Sequence, residues 1–341
     1  MSKILMNMYD AVGKLATRDI FSDRGILLIP ANAVILEEHI QLFQKHQIMI
    51  REDDITDQPQ PNSNKQLQKF ESSVSDIQEK FADIRVTKKV PLDAIRGEIV
   101  PIVQEATNNA TMYELFSSLQ AKDDYTYRHN LAVGTYAGML GNWLGLEHQE
   151  LLQLTTAALL HDVGKMLVPE EILNKPGELT DEEFEEMKKH TIYGYELLKE
   201  TTGINERQAL VALQHHERLD GSGYPYGITG DEIDVFSRIV AVVDSFHAMT
   251  SNRIYHEAKP FYQVLVDMDK QTYGAFDPQI TNLFIQKLMT TLIGQKVTLT
   301  DGRTGLILMI NVHDPTRPLV QIGDEYVDLS KDYSLHIQQV L

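Results

Sequence analysis

The sequence predicts a multidomain protein in which a small mixed α/β N-terminal domain and a small β-rich C-terminal domain flank an all-α helical core. Apolar residues recur at helical spacing from about residue 105 to 294, whereas short strand-like runs and turns dominate both ends. The expected boundaries are 1–56 for the N-terminal domain, 57–64 for a linker, 65–105 for a connecting helix and extended segment, 106–294 for the helical core and 295–341 for the C-terminal domain.

In the N-terminal region the sequence predicts a strand, a helix and a linker. Residues 25–30 form an apolar run entered through a turn, and residues 37–43 have amphipathic helical spacing. Residues 56–64 are polar, contain proline and lack apolar anchors, which is typical of a linker. Apolar residues then recur at spacings of three and four in 65–85, which predicts a helix.

In the core, two helices have clear ends. Apolar residues in 151–159 lie on one face of a helix that leads directly into His161 and Asp162. Thr180 can cap a second helix, with Glu183 completing a capping box. Beyond residue 295, β-rich runs separated by turns predict a small antiparallel sheet of about four strands, at 296–300, 305–310, 319–322 and 326–327.

Composition narrows the class of protein. The 341 residues suffice for two or three domains, and the net charge of −18 disfavours binding to nucleic-acid polymers or to anionic membranes. No apolar run approaches about 18 residues, so we expect no membrane span, and the pattern of the first residues leads us to expect no secretory signal. The chain has no cysteine, which excludes disulfides, thiolate metal sites and a cysteine nucleophile. We therefore expect a soluble, cytoplasmic protein.

Five histidines and two aspartates of the core share one unusual feature, because each lies on the apolar side of its own helix. They are His129, His161, Asp162, His190, His215, His216 and Asp244. A buried carboxylate costs several kcal/mol unless it is paired or binds a metal. Taken singly, each histidine would be interpreted as a hydrogen-bonded core residue, and Asp244 as a partner of a residue such as Arg238 or as a helix cap. The sevenfold recurrence favours a metal site.

Imidazole and carboxylate ligands suit Fe, Mn, Co or Zn, and seven ligands are enough for two ions. Successive helical residues diverge by about 100°, so His215 and His216 are expected to serve different metals, with Asp162 as the bridge. Two metals would also supply the positive charge that an anionic phosphate ester needs. Lys165 could reach a phosphate oxygen, the alternative being a solvated cation at a helix end.

Four motifs follow one another in the core. They are HDVGK at 161–165, the helix that carries His190, HHERLDGSGYPYG at 215–227 and AVVDSFHAMTSNR at 241–253. This series resembles the HD-GYP family of HD-domain phosphohydrolases over about 110–290. The resemblance implies an HD-type fold for the core and a phosphodiesterase that hydrolyses cyclic di-GMP.

The resemblance also implies roles for individual residues. Lys165 would contact the scissile phosphate or a metal-bound hydroxide, which makes Asp162 and Lys165 the expected catalytic residues, and Arg253 would hold a substrate phosphate. The implied cofactors are two divalent transition metals, with Fe or Mn expected first and Co, Ni or Zn as alternatives. Their ligands are the same seven residues: His129, His161, Asp162, His190, His215, His216 and Asp244.

The implied reaction is attack on one phosphorus of cyclic di-GMP by a hydroxide that bridges the metals. The product is linear pGpG, or GMP after a further cut. Gly223, Tyr224 and Pro225 form the name-giving motif, which the family places in a loop near the site and links to recognition of substrate and of diguanylate cyclases with GGDEF domains. A homodimer is compatible with this resemblance.

Three positions depart from the family pattern. Tyr125 stands where members with a third metal carry Glu, so we expect two metals. His247 replaces a common Asp. His256 replaces a Lys or Arg often found near Arg253, and this replacement is expected to weaken the grip on the second phosphate. Two alternatives follow: a cyclic di-GMP sensor or docking module with little turnover, and an HD phosphohydrolase that acts on another nucleotide.

Overall fold

A computed structural model describes residues 7–22, 27–29, 34–35, 37–57, 63–109, 125–251, 259–272 and 274–341. These residues divide into two compact units. The flanking unit contains the described residues up to 57 together with Phe284–Leu341, and the helical unit contains those from 63 to 283. The segments expected to form separate N-terminal and C-terminal domains thus cluster into one unit.

The N-terminal part of the flanking unit contains two small antiparallel pairs and one helix. Strand β1 pairs with β4, and β2 pairs with β3, around a buried apolar cluster that includes Ile29 and Phe43. The predicted helix at 37–43 is confirmed as α1. The elements are β1 Leu15–Ala16, β2 Ile20–Phe21, β3 Leu27–Ile29, α1 Glu37–Lys45 and β4 Ile55–Thr56, with 3-10 turns at Met8–Ala11 and Glu52–Asp54.

The C-terminal part of the flanking unit is one antiparallel sheet in the order β8-β7-β6-β5-β9. The prediction of about four strands was one short, because β9 also pairs with β5. Only Ile337 of β9 is buried, so this segment lacks the alternation of apolar and polar residues by which a strand is predicted from sequence. The strands are β5 Lys296–Leu299, β6 Thr304–Met309, β7 Leu319–Ile322, β8 Glu325–Asp328 and β9 Ile337–Val340.

The helical unit confirms the predicted all-α core. The last helix, α13, crosses the boundary between the units. The helices are α2 Ser63–Thr87, α3 Leu92–Ala94, α4 Val100–Asn109, α5 Tyr125–Trp143, α6 His148–Leu160, α7 Glu170–Leu173, α8 Asp181–Lys188, α9 His190–Lys199, α10 Glu206–Gln214, α11 Val235–Thr250, α12 Phe261–Gln271 and α13 Pro278–Thr290, with a π segment at Ile95–Ile99 and 3-10 turns at Val163–Leu167 and Gly230–Glu232.

Helix α5 is the central element of the helical unit. Its residues from Arg128 to Gly141 are buried in succession, and it packs against α4, α6 and α11. A helix that is apolar around most of its circumference needs partners on several sides, which explains this position. The helix that carries His129 is therefore held firmly.

The connecting region differs from its prediction. The helix predicted at 65–85 is present as α2, but the extended segment reduces to residues 88–91, after which helical structure continues to Asn109. Leu92, Ile95, Ile99 and Val103 are buried at spacings of three and four, which is a helical pattern. The linker predicted at 57–64 lies largely outside the described residues.

Helix α8 begins as the sequence predicts. The hydroxyl of Thr180 accepts from the Glu183 N–H at 3.3 Å, and the Glu183 carboxylate accepts from the Thr180 N–H at 2.7 Å. Only Lys189 separates α8 from α9, so the capped start of α8 also helps to fix the position of His190 at the beginning of α9. Among the described residues, no helix combines the length and apolarity that a membrane span requires.

Candidate metal centre

Five separate elements bring the seven predicted ligands together. His129 lies on α5, His161 and Asp162 follow α6, His190 begins α9, His215 and His216 follow α10, and Asp244 lies on α11. Six of them are at most 5% exposed, and the side chain of His216 is 20% exposed. Their ligand atoms form two groups, within each of which all atoms lie within 4.8 Å of one another. The two-histidine group is His129, His161 and Asp244; the three-histidine group is Asp162, His190, His215 and His216.

The two-histidine group is closely spaced. The Nε2 atom of His129 lies 3.0 Å from Oδ1 of Asp244, and Nε2 of His161 lies 3.9 Å from the same oxygen. The predicted alternative partner of Asp244 is engaged elsewhere, because Arg238 contacts Asp231 and Asp277. Asp244 therefore faces imidazoles.

Asp162 lies between the two groups and turns one oxygen toward each. Its Oδ2 is 3.6 Å from Nε2 of His129 and 3.4 Å from Nε2 of His161. Its Oδ1 is 3.4 Å from Nε2 of His190 and 3.7 Å from Nε2 of His215. A carboxylate in this position can join two cation sites.

The structure differs from the sequence prediction for the adjacent histidines. His215 and His216 were expected to serve different metals, but both contribute a nitrogen to the three-histidine group, with ring centroids 4.0 Å apart. Helix α10 ends at Gln214 with His215 as its C-cap, so His216 lies beyond the helix on whose regular geometry the prediction rested. The Nδ1 atom of His216 also lies 3.9 Å from Oδ2 of Asp244.

Backbone carbonyls orient three of the imidazoles. The Nδ1 atoms of His161 and His190 contact the carbonyl oxygens of Ala158 and Met187 at 2.8 and 2.7 Å, and Nδ1 of His215 contacts two carbonyls of α10. Because Nδ1 donates its hydrogen there, Nε2 keeps a lone pair aimed into the cluster. These three rings are therefore preoriented for metal ligation through Nε2.

Burial keeps His161 and His190 neutral. It lowers the pKa of His161 to about 4 and that of His190 to about 3, so both are uncharged ligands at pH 7. Burial alone would raise the pKa of Asp162, but Lys165 and the neighbouring histidines reverse this effect and hold that pKa well below its usual range. Burial would likewise raise the pKa of Asp244, but the contact with His129 helps to hold that pKa well below its usual range.

The residues fit a bound cation. Two buried atoms of the cluster, Nε2 of His161 and Oδ1 of Asp162, make no hydrogen bond within the described part of the chain. Such orphaned acceptors are rare and costly in protein interiors. Because a divalent transition metal binds both atom types, its presence would satisfy them.

Lys165 lies at the edge of the cluster. Its Nζ is 2.5 Å from Oδ2 of Asp162, and its side chain is 21% exposed. The alternative of a solvated cation at a helix end is therefore disfavoured, because the ammonium group contacts the central carboxylate. It also keeps one accessible side.

The Gly-Tyr-Pro loop packs on the three-histidine group. The N–H of Tyr224 donates to the carbonyl of His216 at 3.1 Å, and the two rings stack with centroids 4.6 Å apart. A Cβ on Gly223 would lie 2.5 Å from the backbone N of Arg218, so only glycine fits this close approach. Phe184 lies beside Tyr224, with ring centroids 6.4 Å apart.

Other predicted positions are not described. Arg253 and His256 lie outside the described residues, and nothing is described of the Tyr125 side chain. Sequence reasoning did not predict the contact between His247 and His129: His247 is 3% exposed, and its Nδ1 lies 2.9 Å from Nδ1 of His129. Its three-residue offset from Asp244 on the apolar face of α11 was the available signal.

Comparison with known proteins gives consistent matches. The family model for the HD domain matches residues 110–280, which is half of the chain. A cyclic di-GMP phosphodiesterase of Pseudomonas aeruginosa is 35% identical over 223 residues, covering 62% of this chain and 54% of the relative. A cyclic di-GMP phosphodiesterase of Thermotoga maritima is 38% identical over 180 residues, covering 51% of this chain and 49% of the relative.

A third relative differs in substrate. The 3'3'-cGAMP-specific phosphodiesterase 3 of Vibrio cholerae is 36% identical over 161 residues, covering 47% of this chain and 35% of the relative. The chain thus spans about half the length, or less, of these curated relatives. The matched region includes all seven clustered ligands. The chain belongs to the HD-domain family, and its His-Asp and Gly-Tyr-Pro motifs are those of the HD-GYP type.

Proposed function

We propose that this protein is a metal-dependent phosphodiesterase that hydrolyses cyclic di-GMP. The observation that carries the proposal is the position of Asp162, whose two carboxylate oxygens face two separate histidine groups. Six ligands around one shared carboxylate are a set that can hold two ions. The names of the Pseudomonas and Thermotoga relatives support the substrate class.

Two bound divalent metals, with Fe or Mn as the first expectation, would supply an activated water and positive charge for an in-line displacement at phosphorus. The chain's own residues provide the rest. Neutral imidazoles such as His161 and His190 offer Nε2 lone pairs, and Asp162 offers one oxygen to each group. The site thus combines a cationic centre with a protein surface of net negative charge.

In the proposed reaction, an oxygen from water forms a bond to one phosphorus and the bond from that phosphorus to the 3′ oxygen breaks. The leaving oxygen takes up a proton, and the product is linear pGpG. A second hydrolysis of the same kind yields GMP. Lys165, with its ammonium group beside Asp162 and one exposed side, would stabilise charge on the phosphoryl oxygens.

The remaining substrate contacts are also proposals. Arg253 would hold a phosphate, and the loop of Gly223, Tyr224 and Pro225 would border the substrate because it packs on His216. Docking of a diguanylate cyclase at this loop, a homodimer and a cytoplasmic location remain predictions.

Two other functions have specific support. Hydrolysis of a mixed cyclic dinucleotide is supported by the cGAMP-specific relative from Vibrio cholerae. A cyclic di-GMP sensor or docking module with little turnover is supported by the departures His247 and His256. Metal loading and a substrate panel separate all three.

The test uses the full chain, purified without oxygen and loaded with Fe²⁺ or Mn²⁺. We would follow hydrolysis of cyclic di-GMP and 3'3'-cGAMP by chromatography of the products, beside the double variant His161→Ala/Asp162→Ala. His313→Ala is the matched control, because this exposed histidine lies outside the metal centre. The double variant should lose turnover and the control should keep it.

Each outcome has one meaning. Turnover of cyclic di-GMP to pGpG or GMP supports the proposal, and preference for cGAMP favours the second substrate. Tight binding of cyclic di-GMP by the metal-loaded protein without any product favours the sensor. Retained turnover in a folded double variant would contradict the mechanism.

A further inference from the structure

His129 is oriented differently from its neighbours in the metal centre. His161, His190 and His215 turn Nδ1 toward backbone carbonyls of residues three or four positions earlier in the chain. Nδ1 of His129 instead lies 2.9 Å from Nδ1 of His247, a residue 118 positions later in the chain. One side chain therefore supports this ligand where backbone supports the other three.

Binding of a cation at His129 would determine which atom donates to which. Nε2 of His129 faces Asp244 at 3.0 Å and Asp162 at 3.6 Å, so this nitrogen must keep its lone pair if it is to bind a cation. The hydrogen then lies on Nδ1 of His129, and Nδ1 of His247 accepts it. The other nitrogen of His247 carries its own hydrogen and lies 3.2 Å from Oγ of Ser251, which can accept it.

We propose that His247 is a positioning residue for the two-histidine group, acting through His129 and held in turn by Ser251. This inference rests on the metal centre of the proposed function. A hydrogen-bond acceptor behind a ligating imidazole fixes its ring and raises its basicity, and loss of such a partner costs about 10–100-fold in metal affinity. His247 thereby sets the affinity of one ion without touching it.

Packing and hydrogen bonding of His247 can be tested separately. His247 is 3% exposed, and its ring lies 5.1 Å from that of His129 and 6.2 Å from that of Tyr136, measured between centroids. A leucine would fill similar space and preserve these contacts but would remove the acceptor. An asparagine would retain an oxygen at about the position of Nδ1. The two substitutions therefore separate hydrogen bonding from packing.

The experiment measures Mn²⁺ binding to the metal-free full chain, with the free ion followed by electron paramagnetic resonance. The wild type should bind two ions. His247→Leu should bind one of them about 10–100-fold more weakly and leave the other unchanged, whereas His247→Asn should remain within a few-fold of wild type. Ser251→Ala should show a smaller loss at the same ion.

Failure of the inference can be told apart from failure of the proposed function. A wild type that binds no Mn²⁺ contradicts the metal centre itself. A wild type that binds two ions, with a His247→Leu variant of unchanged affinities, overturns the role of His247 alone. If His247→Leu does not fold, the asparagine and Ser251→Ala variants decide, because a tenfold loss with asparagine or an unchanged affinity with alanine would also overturn it.

Discussion

Gly164 offers a sharp test of how the metal centre is held. It lies in the 3-10 turn directly after Asp162 and packs against the first turn of α9. A Cβ built on Gly164 overlaps the carbonyl oxygen of His190 and lies 2.5 Å from the backbone N of Gly194. These neighbours are backbone atoms of a helix, so no rotamer change can relieve the overlap.

The size of the displacement follows from these distances. An ordinary contact of a Cβ begins at 3.4 Å, so Gly164→Ala must separate the two segments by about 1 Å at Gly194 and by about 1.5 Å at the His190 carbonyl. His190 moves with α9, whereas Asp162 moves with the turn, and their ligand atoms are 3.4 Å apart. Metal–ligand distances tolerate about 0.2 Å, so the three-histidine group should lose its ion. Overpacking should also cost about 1–3 kcal/mol of unfolding free energy.

The assay combines Mn²⁺ stoichiometry with thermal unfolding. Gly97→Ala is the matched control, because a Cβ on Gly97 in the helical unit meets nothing within 4 Å. The control should bind both ions and be unchanged or slightly more stable, since alanine favours a helix over glycine. A Gly164→Ala protein that binds two ions with wild-type affinity and unfolds at the same temperature as the control would refute the reasoning.

Three further predictions concern stability. Removal of metal with a chelator should lower the melting temperature, and Mn²⁺ at 100 times its Kd should restore about 2.7 kcal/mol per site by calorimetry; an unchanged melting temperature would exclude ion binding. In the metal-free protein, burial lowers the pKa of His161 to about 4 and that of His190 to about 3. Histidines of the unfolded chain have a pKa of about 6.5, so between pH 6.5 and 4 the unfolded chain binds more protons than the folded protein. The unfolding free energy should therefore fall as pH decreases from about 6.5 to 4, by up to roughly 1.4 kcal/mol per pH unit for each histidine. Urea unfolding curves that show the protein to be as stable at pH 5 as at pH 7, or more stable, would contradict this prediction. Arg207→Ala should cost about 1–2 kcal/mol in urea melts, because its guanidinium lies 3.8 Å from the Phe236 ring centre and pairs with Asp234 at 3.0 Å; recovery of wild-type stability by Arg207→Lys would show that planarity is unimportant.

Much of the fold was predictable from local patterns. Helical spacing located α2, and the capping box located the start of α8, because both signals lie within a few residues. The helix from Leu92 to Asn109 was missed although its buried residues follow the same spacing. Strand β9 had no comparable signal, since its strand conformation is held by pairing with β5 and not by a local pattern of residues.

The candidate site was predictable in membership but not in arrangement. All seven ligands could be chosen because polar side chains recur on apolar helix faces, where burial requires compensation. The assignment of His215 and His216 to different metals was not supported, because it assumed that α10 continued beyond Gln214. An extrapolated helix cannot show where the helix ends.

The sequence by itself determined three properties of this protein: a helical HD-type core, imidazole and carboxylate groups as candidate ligands, and the absence of thiols. It could do so because residue type and helical period are local properties. Only the tertiary structure decided that Asp162 turns one oxygen to each histidine group and that His247 lies behind His129. Those relations depend on how separate helices pack, and packing joins residues more than a hundred positions apart that no local spacing connects.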